Sequence, residues 1–294
     1  MNDYINMIPQ NKKKNQRLFN AAEESICRQF GKQIWTKFRR SIRDYRLIEN
    51  NDKIAVCISG GKDSMLLAQC MMRLLKNNEI PFKAEFIVMD PGYTPENLSN
   101  IAENCEKLGI PAKFFKTKIF ESAERENNNP CFLCSRLRRG FLYKTALELG
   151  CNKIALGHHF DDVIETILMG MLYGSQMQTM LPKLHAENYR GMELIRPLYL
   201  VREKDIISWA EFNDLRFIGC ACSVSSGDGG SSKRAEIKAL LEQLRATNPA
   251  VDMNIFRSAE NVNLRKLISY HSGSEYHHFL DDYELGLPVK QKLK

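Results

Sequence analysis

Apolar runs and amphipathic segments alternate along the chain from residue 53 to residue 172, and this pattern predicts alternating strands and helices. Short apolar runs are typical of buried strands, and apolar positions three and four residues apart are typical of helices. The predicted strands are Ile54–Ile58, Phe82–Met89, Ala112–Lys116 and Lys153–Leu156, and the predicted helices are Ser64–Asn77, Glu96–Leu108, Arg136–Leu149 and Phe160–Leu172. The alternation predicts an α/β fold with a doubly wound parallel sheet that carries helices on both faces.

Helical additions are expected on both sides of this central part. Residues 15–47 have a helical pattern, so we expect a basic helical region over residues 1–48 and the central α/β domain over residues 49–222. Residues 223–232 are rich in glycine and serine, which is typical of a flexible loop. Helices are predicted next at Lys233–Arg245 and Asn254–Ser269, and residues 223–294 are therefore expected to form a flexible loop and a helical C-terminal region.

Composition narrows the class of protein. The chain has 294 residues, of which 44% are hydrophobic, and this supports a substantial core. No apolar stretch approaches the ~18 residues of a membrane span, and the polar N-terminus lacks the apolar stretch of a secretory signal. We therefore expect a cytoplasmic protein with no membrane partner.

The net charge of +7 is unevenly distributed. Basic residues crowd the first fifty positions, with Trp35, Phe38 and Tyr45 among them. Two interpretations stay open. The region is either a footprint for nucleic-acid phosphates or a solvated amphipathic helix whose aromatic side chains face the core.

The sequence Ser-Gly-Gly-Lys-Asp-Ser at residues 59–64, called the phosphate loop below, is the most informative motif. It lies between a predicted strand and a predicted helix, so the N–H groups of Gly60 and Gly61 and the helix N-terminus can surround an anion. Lys62 adds a positive charge, and Ser59 and Ser64 add hydroxyl donors. Its glycine spacing does not match a Walker A loop. The motif therefore predicts a different kind of nucleotide-phosphate site.

Two further segments follow predicted strands and lie at the same edge of the sheet, where ligands bind in such folds. They are Asp90–Tyr93 and Gly157–Asp162. The paired carboxylates Asp161 and Asp162, beside two histidines and the phosphate loop, indicate Mg²⁺ held for a nucleotide. The dipole of a helix start explains one of these carboxylates without any metal.

The nine cysteines do not predict a disulfide framework in a chain without a secretory signal. Five of them are expected to be structural: Cys27, Cys57, Cys70, Cys105 and Cys151. The other four lie in Cys131-Phe-Leu-Cys134 and Cys220-Ala-Cys222. Three thiolates suit a [4Fe–4S] cluster with one open iron, and four suit a closed cluster or a zinc site. A redox disulfide at Cys131 and Cys134, or four unrelated thiols, are the alternatives.

Arginines form a second set of candidates. Arg136, Arg138 and Arg139 follow the cysteine pair, where they stabilise thiolates or bind phosphates. Arg196, in Ile195-Arg-Pro-Leu198, is either an active-site guanidinium or part of a surface salt bridge. Arg202-Glu-Lys204 opens the next helix and is interpreted as a solvated charged turn.

These motifs together resemble the PP-loop ATP pyrophosphatases and, within them, the tRNA 2-thiocytidine synthetases. The phosphate loop resembles the PP-loop itself. The blocks that resemble the thiocytidine branch are Cys131–Gly140, Lys153–His159 with Asp161-Asp162, Pro182–Leu184, Arg196–Leu198 and Arg202–Ile206. The resemblance runs from about Phe38 to Cys220 and implies the adenine-nucleotide α-hydrolase-like fold.

The resemblance implies ATP-dependent thiolation of tRNA. The C2 carbonyl oxygen of a cytidine in the anticodon loop would attack the α-phosphate of ATP, pyrophosphate would leave, and sulfur held at a [4Fe–4S] cluster would displace AMP to give 2-thiocytidine. Mg²⁺ would accompany ATP. The sulfur would come from a donor such as a cysteine desulfurase or sulfide, and a homodimer is compatible with the resemblance.

The implied site residues fall into three groups. The catalytic group is Lys62, Asp63, Arg138, Asp161 and Cys131. The group that binds ATP and Mg²⁺ is Ser59, Gly60, Gly61, Lys62, Asp63, Ser64, Asp90, Gly157, His158 and Asp162. The metal-binding group is Cys131, Cys134, Cys220 and Cys222.

The chain departs from the family pattern at the third cysteine. The family carries Pro-Cys-x-x-Cys-Gly-Ser-Gln there, whereas this chain has Gly219-Cys-Ala-Cys-Ser-Val-Ser-Ser226. Cys220 matches the first cysteine of that block and is the expected third ligand, while Cys222 has no clear counterpart. Alternative functions therefore stay open: a PP-loop sulfurtransferase for another nucleoside or a small molecule, a zinc-containing PP-loop ligase, or a non-enzymatic RNA-binding protein.

Overall fold

The computed structural model describes residues 4–5, 21–77, 79–125, 130–217 and 233–285, without the side chains of residues 4, 5, 124, 130 and 131. Within these residues one sheet has seven strands in the order β1-β4-β3-β2-β5-β7-β6. The strands are β1 (Tyr4–Ile5), β2 (Lys53–Ile58), β3 (Lys83–Asp90), β4 (Ala112–Lys116), β5 (Lys153–Ala155), β6 (Lys183–His185) and β7 (Glu193–Ile195). The five central strands are parallel, and β1 and β6 are antiparallel edges.

The helices connect and cover these strands. They are α1 (residues 21–27), α2 (Thr36–Asp44), α3 (Lys62–Asn77), α4 (Pro95–Lys107), α5 (Ile119–Glu124), α6 (Pro130–Glu148), α7 (Phe160–Gly174) and α8 (Glu203–Phe212). A π-helical turn, Gly31–Trp35, precedes α2. The predicted doubly wound α/β fold is confirmed.

Strand β2 shows how the sequence builds a core on each face of the sheet. Successive side chains of a strand point to opposite faces. Ile54, Val56 and Ile58 join a core with helices on one face, while Ala55 and Cys57 join a core with α6 on the other. A strand that is buried on both faces therefore appears in the sequence as an unbroken apolar run.

The position of β2 also locates the ligand edge. The chain moves from β2 outward to β3 and β4, and then returns to place β5 on the other side of β2. Doubly wound sheets bind ligands at the carboxyl ends of the strands where the order reverses in this way. Here that place lies between the ends of β2 and β5.

Three sequence-based expectations need correction or refinement. Helix α6 begins at Pro130 rather than Arg136, because proline is favoured in the first turn of a helix. The short strands β6 and β7 have no counterpart among the predicted strands, since three residues carry too little pattern. The helix predicted at Asn254–Ser269 is wrong beyond Glu260, where α10 (Val251–Glu260) ends and an asparagine-rich turn follows.

Helix α2 has an aromatic side that packs into the core and an exposed side that carries arginines. Phe38 is fully buried, and Trp35 stacks on it with 5.5 Å between the ring centroids. Arg39 pairs with Glu79 at 2.6 Å, and Arg40 pairs with Asp44 at 2.9 Å. Helix α2 and the turn before it are therefore amphipathic, with aromatic side chains packed against the core and arginines paired on the surface. A nucleic-acid footprint formed by these arginines stays a prediction.

The chain divides into two compact units. The larger comprises Met1–Glu165 and Met180–Ser232 and holds the sheet. The smaller comprises Thr166–Thr179 and Lys233–Lys294, and contains α9 (Lys233–Thr247), α10, the hairpin of β8 (Ser269–Ser272) and β9 (Glu275–His278), and α11 (Phe279–Glu284). The predicted domain boundaries at residues 48/49 and 222/223 stay predictions. In the described part of the chain, no helix has the length and apolar character to cross a membrane.

Candidate active site

The phosphate loop is a tight turn held by its own serines. The Ser59 N–H donates to Ser64 Oγ at 3.1 Å, and Ser64 Oγ donates to the Gly61 carbonyl at 2.9 Å. Gly60 has φ +85°, a left-handed conformation that glycine adopts without a Cβ penalty. Helix α3 begins directly at Lys62, so the positive end of its dipole faces the loop. This arrangement is suited to binding the phosphates of a nucleotide.

Gly157 belongs to the site because of a close backbone approach. A Cβ at this position would lie 3.0 Å from the Asp63 carbonyl carbon and from the Ser64 nitrogen. Any other residue would therefore push the end of β5 away from the phosphate loop. The sequence predicted Gly157 as a nucleotide-binding residue, and the structure places it against the backbone of the loop.

Lys62 is surrounded by acidic groups. Its Nζ lies 3.2 Å from Asp63 Oδ1 and 3.0 Å from Glu203 Oε1. Burial acts to lower the pKa of Lys62, but the two carboxylates outweigh it, and the pKa is raised. Burial also raises the pKa of Asp63, against the effect of His159 and Lys62. A lysine that stays protonated at the mouth of an anion site is ready to bind phosphate.

The sequence did not predict that Glu203 lies in the candidate site. The sequence alone favours a solvated turn at this position, yet Glu203 Oε1 lies 3.0 Å from Lys62 Nζ and 4.0 Å from His159 Nε2. The sequence gives little indication of this contact, because a glutamate in the first turn of a helix is common on protein surfaces. The pairing of β5 with β7 and the hydrogen bond from the Glu203 N–H to Asp161 place the start of α8 beside the phosphate loop.

Asp161 and Asp162 both have structural tasks at the helix starts. The His159 N–H donates to Asp162 Oδ2 at 3.0 Å, and the Asp162 N–H donates to His159 Nδ1 at 3.4 Å, which is a reciprocal cap of α7. Asp161 Oδ2 accepts the Glu203 N–H at 2.7 Å and so fixes the start of α8. Their predicted roles in catalysis and Mg²⁺ binding stay predictions. His158 lies half-buried between Gly157 and this cap.

Asp90 shapes the neighbouring turn after β3. Its Oδ1 accepts the N–H groups of Gly92 at 2.9 Å and Tyr93 at 2.7 Å. The Tyr93 hydroxyl donates to the Ser59 carbonyl at 3.3 Å and links this turn to the phosphate loop. The three sheet-edge segments that the sequence singled out therefore meet around residues 59–64.

The cysteines separate into two environments. Cys57, Cys70, Cys105 and Cys151 are buried, and burial raises the pKa of Cys57 and Cys105 to about 12. These thiols stay protonated, which is the structural role predicted for them.

The four cysteines predicted to bind metal lie outside the core clusters or outside the described residues. Cys134 is half-buried in the second turn of α6, one turn before the half-buried Arg138. The side chain of Cys131 and all of Cys220 and Cys222 lie outside the described residues. Among the residues that are described, no three His, Cys, Asp or Glu side chains gather as a metal site.

A cleft of about 770 Å³ lies between α6 and the β6–β7 hairpin. Its lining is aromatic and basic, and includes Phe132, Arg136, Arg139, Lys144 and Tyr189. Phe132 is 64% exposed, and Tyr189 stacks on Tyr143 with 5.0 Å between the centroids. Guanidinium groups beside exposed aromatic rings are typical of surfaces that bind single-stranded nucleic acid.

The fold and the phosphate loop define a nucleotide-binding α/β protein, and comparison with known proteins specifies the class. Residues 31–222 match the family profile of the PP-loop domain. The tRNA-cytidine(32) 2-sulfurtransferase of Alkalilimnicola ehrlichii is 40% identical over 228 residues, which cover 76% of this chain and 70% of that one. The protein of the same name from Photobacterium profundum is 36% identical over 255 residues, which cover 85% and 80%.

A solved structure agrees with this fold. The U34-tRNA thiolase NcsA from Methanococcus maripaludis, determined with its [4Fe-4S] cluster, superposes with a TM-score of 0.61 over 84% of this chain and 78% of that one, at 23% identity. The chain therefore belongs to the PP-loop family and, within it, to the family of the tRNA-cytidine(32) 2-sulfurtransferases. The predicted family, fold and sulfurtransferase class are confirmed.

Proposed function

We propose that this protein uses ATP to adenylate the C2 carbonyl of a cytidine in a tRNA anticodon loop and replaces the oxygen with sulfur to give 2-thiocytidine. The observation that carries the proposal is the phosphate loop with Lys62, set at the carboxyl edge of the sheet in a chain of this family. The aromatic and basic cleft supports an RNA substrate, since it offers stacking surfaces and positive charge together.

The residues of the phosphate loop have defined tasks in this reaction. The loop N–H groups and the start of α3 bind the phosphates, and Lys62 leaves its carboxylate partners to neutralise the charge that develops on pyrophosphate. The carbonyl oxygen of the base forms a bond to the α-phosphorus as the bond to pyrophosphate breaks. Asp63, with its carboxylate at the mouth of the loop, is suited to hold the accompanying Mg²⁺. Sulfur then bonds to C2 and AMP leaves.

Cys131, Cys134 and Cys220 are the residues proposed to hold a [4Fe–4S] cluster, with Cys222 as the alternative third ligand. The donor set fits the group, because Cys134 lies outside the buried core near the start of α6, where the helix dipole favours thiolate. The cluster would supply a site at which sulfur is held for transfer. The thiolase neighbour was determined with such a cluster, which supports the same assignment here.

The deciding experiment is mass spectrometry of tRNA nucleosides from cells without this gene, complemented with the wild-type gene or with Lys62→Ala. We expect 2-thiocytidine to disappear on deletion, to return with the wild type and to stay absent with Lys62→Ala. Lys204→Ala, an exposed lysine in the first turn of α8, is the matched control and should restore the nucleoside. Unchanged 2-thiocytidine after deletion would contradict the proposal and favour another nucleoside or a small molecule as the substrate.

A further inference from the structure

Arg196 lies at the ligand edge of the sheet, although the phosphate loop does not include it. It directly follows β7, and β7 pairs with β5, whose end carries Gly157. The Leu156 N–H donates to the Ile195 carbonyl at 3.0 Å, which continues this pairing up to Arg196. Since β7 is two strands from β2, Arg196 is displaced from the phosphate loop by about 10 Å across the sheet.

The guanidinium of Arg196 is buried without a counter-charge. Its side chain is 9% exposed, and its one polar contact among the described residues is a hydrogen bond from Nη1 to the Leu181 carbonyl. Its Nε has no hydrogen-bond partner, and within the described part of the chain its guanidinium forms no salt bridge with a carboxylate. Burial lowers the pKa of Arg196 to about 10. A buried cation in this state costs stability unless a ligand pairs with it.

The surroundings of Arg196 favour an anion. After burial, Tyr199 and Tyr143 have the largest influence on the pKa of Arg196 and act to raise it, as does Asp162 on α7, whereas Arg139 on α6 acts to lower it. Arg139 is exposed, lines the aromatic and basic cleft, and makes no ion pair within the described residues. The buried guanidinium of Arg196, with its unpartnered Nε, is suited to an oxyanion, because planar guanidinium forks match phosphate oxygens.

We propose that Arg196 is a phosphate-binding residue of the substrate complex, and that it binds a phosphate outside the phosphate loop, either from the nucleotide or from the RNA chain. The inference rests on the proposed function for the identity of these substrates. In this proposal, the counter-charge of the buried Arg196 is a phosphate that the substrate brings to the site. Arg139 would contact the same phosphate from the solvent side.

The test compares Arg196→Met, Arg196→Lys and the control Arg190→Met. Methionine fills much of the arginine volume without charge, and lysine keeps the charge but loses the fork. Arg190 is an exposed arginine in the same β6–β7 hairpin. Each variant is measured for thermal stability without ligands, for ATP binding without RNA, and for binding of an anticodon stem-loop RNA at several salt concentrations.

Stability separates a ligand-binding role from a structural one. We expect Arg196→Met to have a Tm equal to or above that of the wild type, because it removes an unpaired buried charge. Binding should nevertheless fall by about tenfold or more, which is typical for the loss of a hydrogen bond to a charged group. The binding affinity of Arg196→Lys should lie between those of the wild type and Arg196→Met. Arg190→Met should have the affinity and the Tm of the wild type.

The two binding measurements identify the source of the phosphate. If it belongs to the nucleotide, the affinity for ATP falls and that for RNA does not. If it belongs to RNA, ATP binding is unchanged, while RNA binding weakens and its salt dependence loses about one phosphate contact, or ~0.7 in slope. Wild-type affinity for both ligands in Arg196→Met, or a lower Tm with unchanged affinities, would overturn the inference.

Failure of the proposed function gives a different result. In that case the wild-type protein itself would bind ATP but not the cytidine-containing RNA, or would leave that RNA unmodified. If the RNA does not bind at all, the ATP measurement alone tests Arg196, and wild-type ATP affinity in Arg196→Met rejects the inference. If the RNA binds but is not modified, both binding measurements still apply, and wild-type affinity for both ligands rejects it.

Discussion

At the scale of single residues, the buried cations of this protein differ in what neutralises them. Lys153 is 2% exposed, and its Nζ lies 2.8 Å from Asp52 and 3.0 Å from Glu193. Its Nζ also donates to the Leu47 carbonyl at 3.3 Å. This ion group joins the start of β5 to the loop before β2 and to β7. The charge of Lys153 is therefore neutralised by carboxylates of the protein itself. Lys62 and Arg196 lie at the ligand edge instead.

Lys153→Met tests the structural ion group. We expect it to lower the free energy of unfolding by about 3 kcal/mol, because the buried Asp52 and the half-buried Glu193 would lose their cation. The matched control is Lys144→Met, whose ammonium is exposed and lies 4.0 Å from Glu148; it should change stability by less than about 0.5 kcal/mol. Denaturant unfolding monitored by circular dichroism measures both.

The pH dependence of this effect has a definite sign. Burial acts to lower the pKa of Lys153, but the bonds to Asp52 and Glu193 outweigh it and raise the pKa from 10.5. The stabilisation is therefore complete below pH 10.5 and is lost as the pH rises through the raised pKa. The difference between wild type and Lys153→Met should be the same at pH 7 and pH 9. A difference that shrinks within this range would contradict the assignment.

At the scale of elements, the site depends on how closely the end of β5 approaches the start of α3. The absence of a Cβ at Gly157 permits the contact with the Asp63–Ser64 peptide. The same approach lets His159 cap α7 while its Nε2 lies 3.7 Å from Asp63. The loop after β5 and the phosphate loop are therefore one packed unit rather than two separate loops.

Gly157→Ala is expected to damage ATP binding through the backbone. Its methyl group would meet main-chain atoms at 3.0 Å, so the phosphate loop or the loop after β5 must shift. We expect at least about a tenfold loss of ATP affinity, comparable to losing one charged hydrogen bond, measured by titration calorimetry. Gly31→Ala is the control, since nothing lies within 4 Å of an added Cβ there. Wild-type affinity in Gly157→Ala would show that the packed unit is not needed.

At the scale of the whole molecule, burial distinguishes the core thiols from Cys134 among the cysteines whose side chains the structure describes. The thiols of the core are desolvated and stay protonated, so they are poor metal ligands. The thiols proposed for the cluster come from positions far apart in the sequence, near residues 131–134 and 220–222. A cluster held by both segments would link them, and its loss would affect activity more than the fold of the sheet.

Cys134→Ser tests this assignment in protein prepared without oxygen. We expect iron and acid-labile sulfide to fall to a small fraction of the wild-type content, because a ligand of the cluster is missing. Cys105→Ala, a change in the core, should retain both, although it lowers stability by about 1 kcal/mol. Full iron and sulfide in Cys134→Ser would contradict the assignment, and stoichiometric zinc would favour the zinc alternative.

The sequence predicted the central architecture because buried parallel strands leave long apolar runs. The runs at β2, β3 and β4 mark the strands within one residue of their observed ends. The phosphate loop was equally plain, since glycines, a lysine and serines between a strand and a helix form a rare combination. Short strands such as β7, and the hairpin of β8 and β9, have no apolar run long enough to predict them from the sequence.

Within the site, the local sequence was enough to predict which loop is suited to phosphate and which segments lie at the same edge, because parallel strands end together. Only the tertiary structure decided which side chains meet there. The pairing of β5 with β7 brings Glu203 to Lys62 and places Arg196 without a counter-charge, and no local pattern records this. Contacts of this kind join residues that are far apart in the sequence, so they are set by the order of strands in the sheet and not by the neighbours of each residue along the chain.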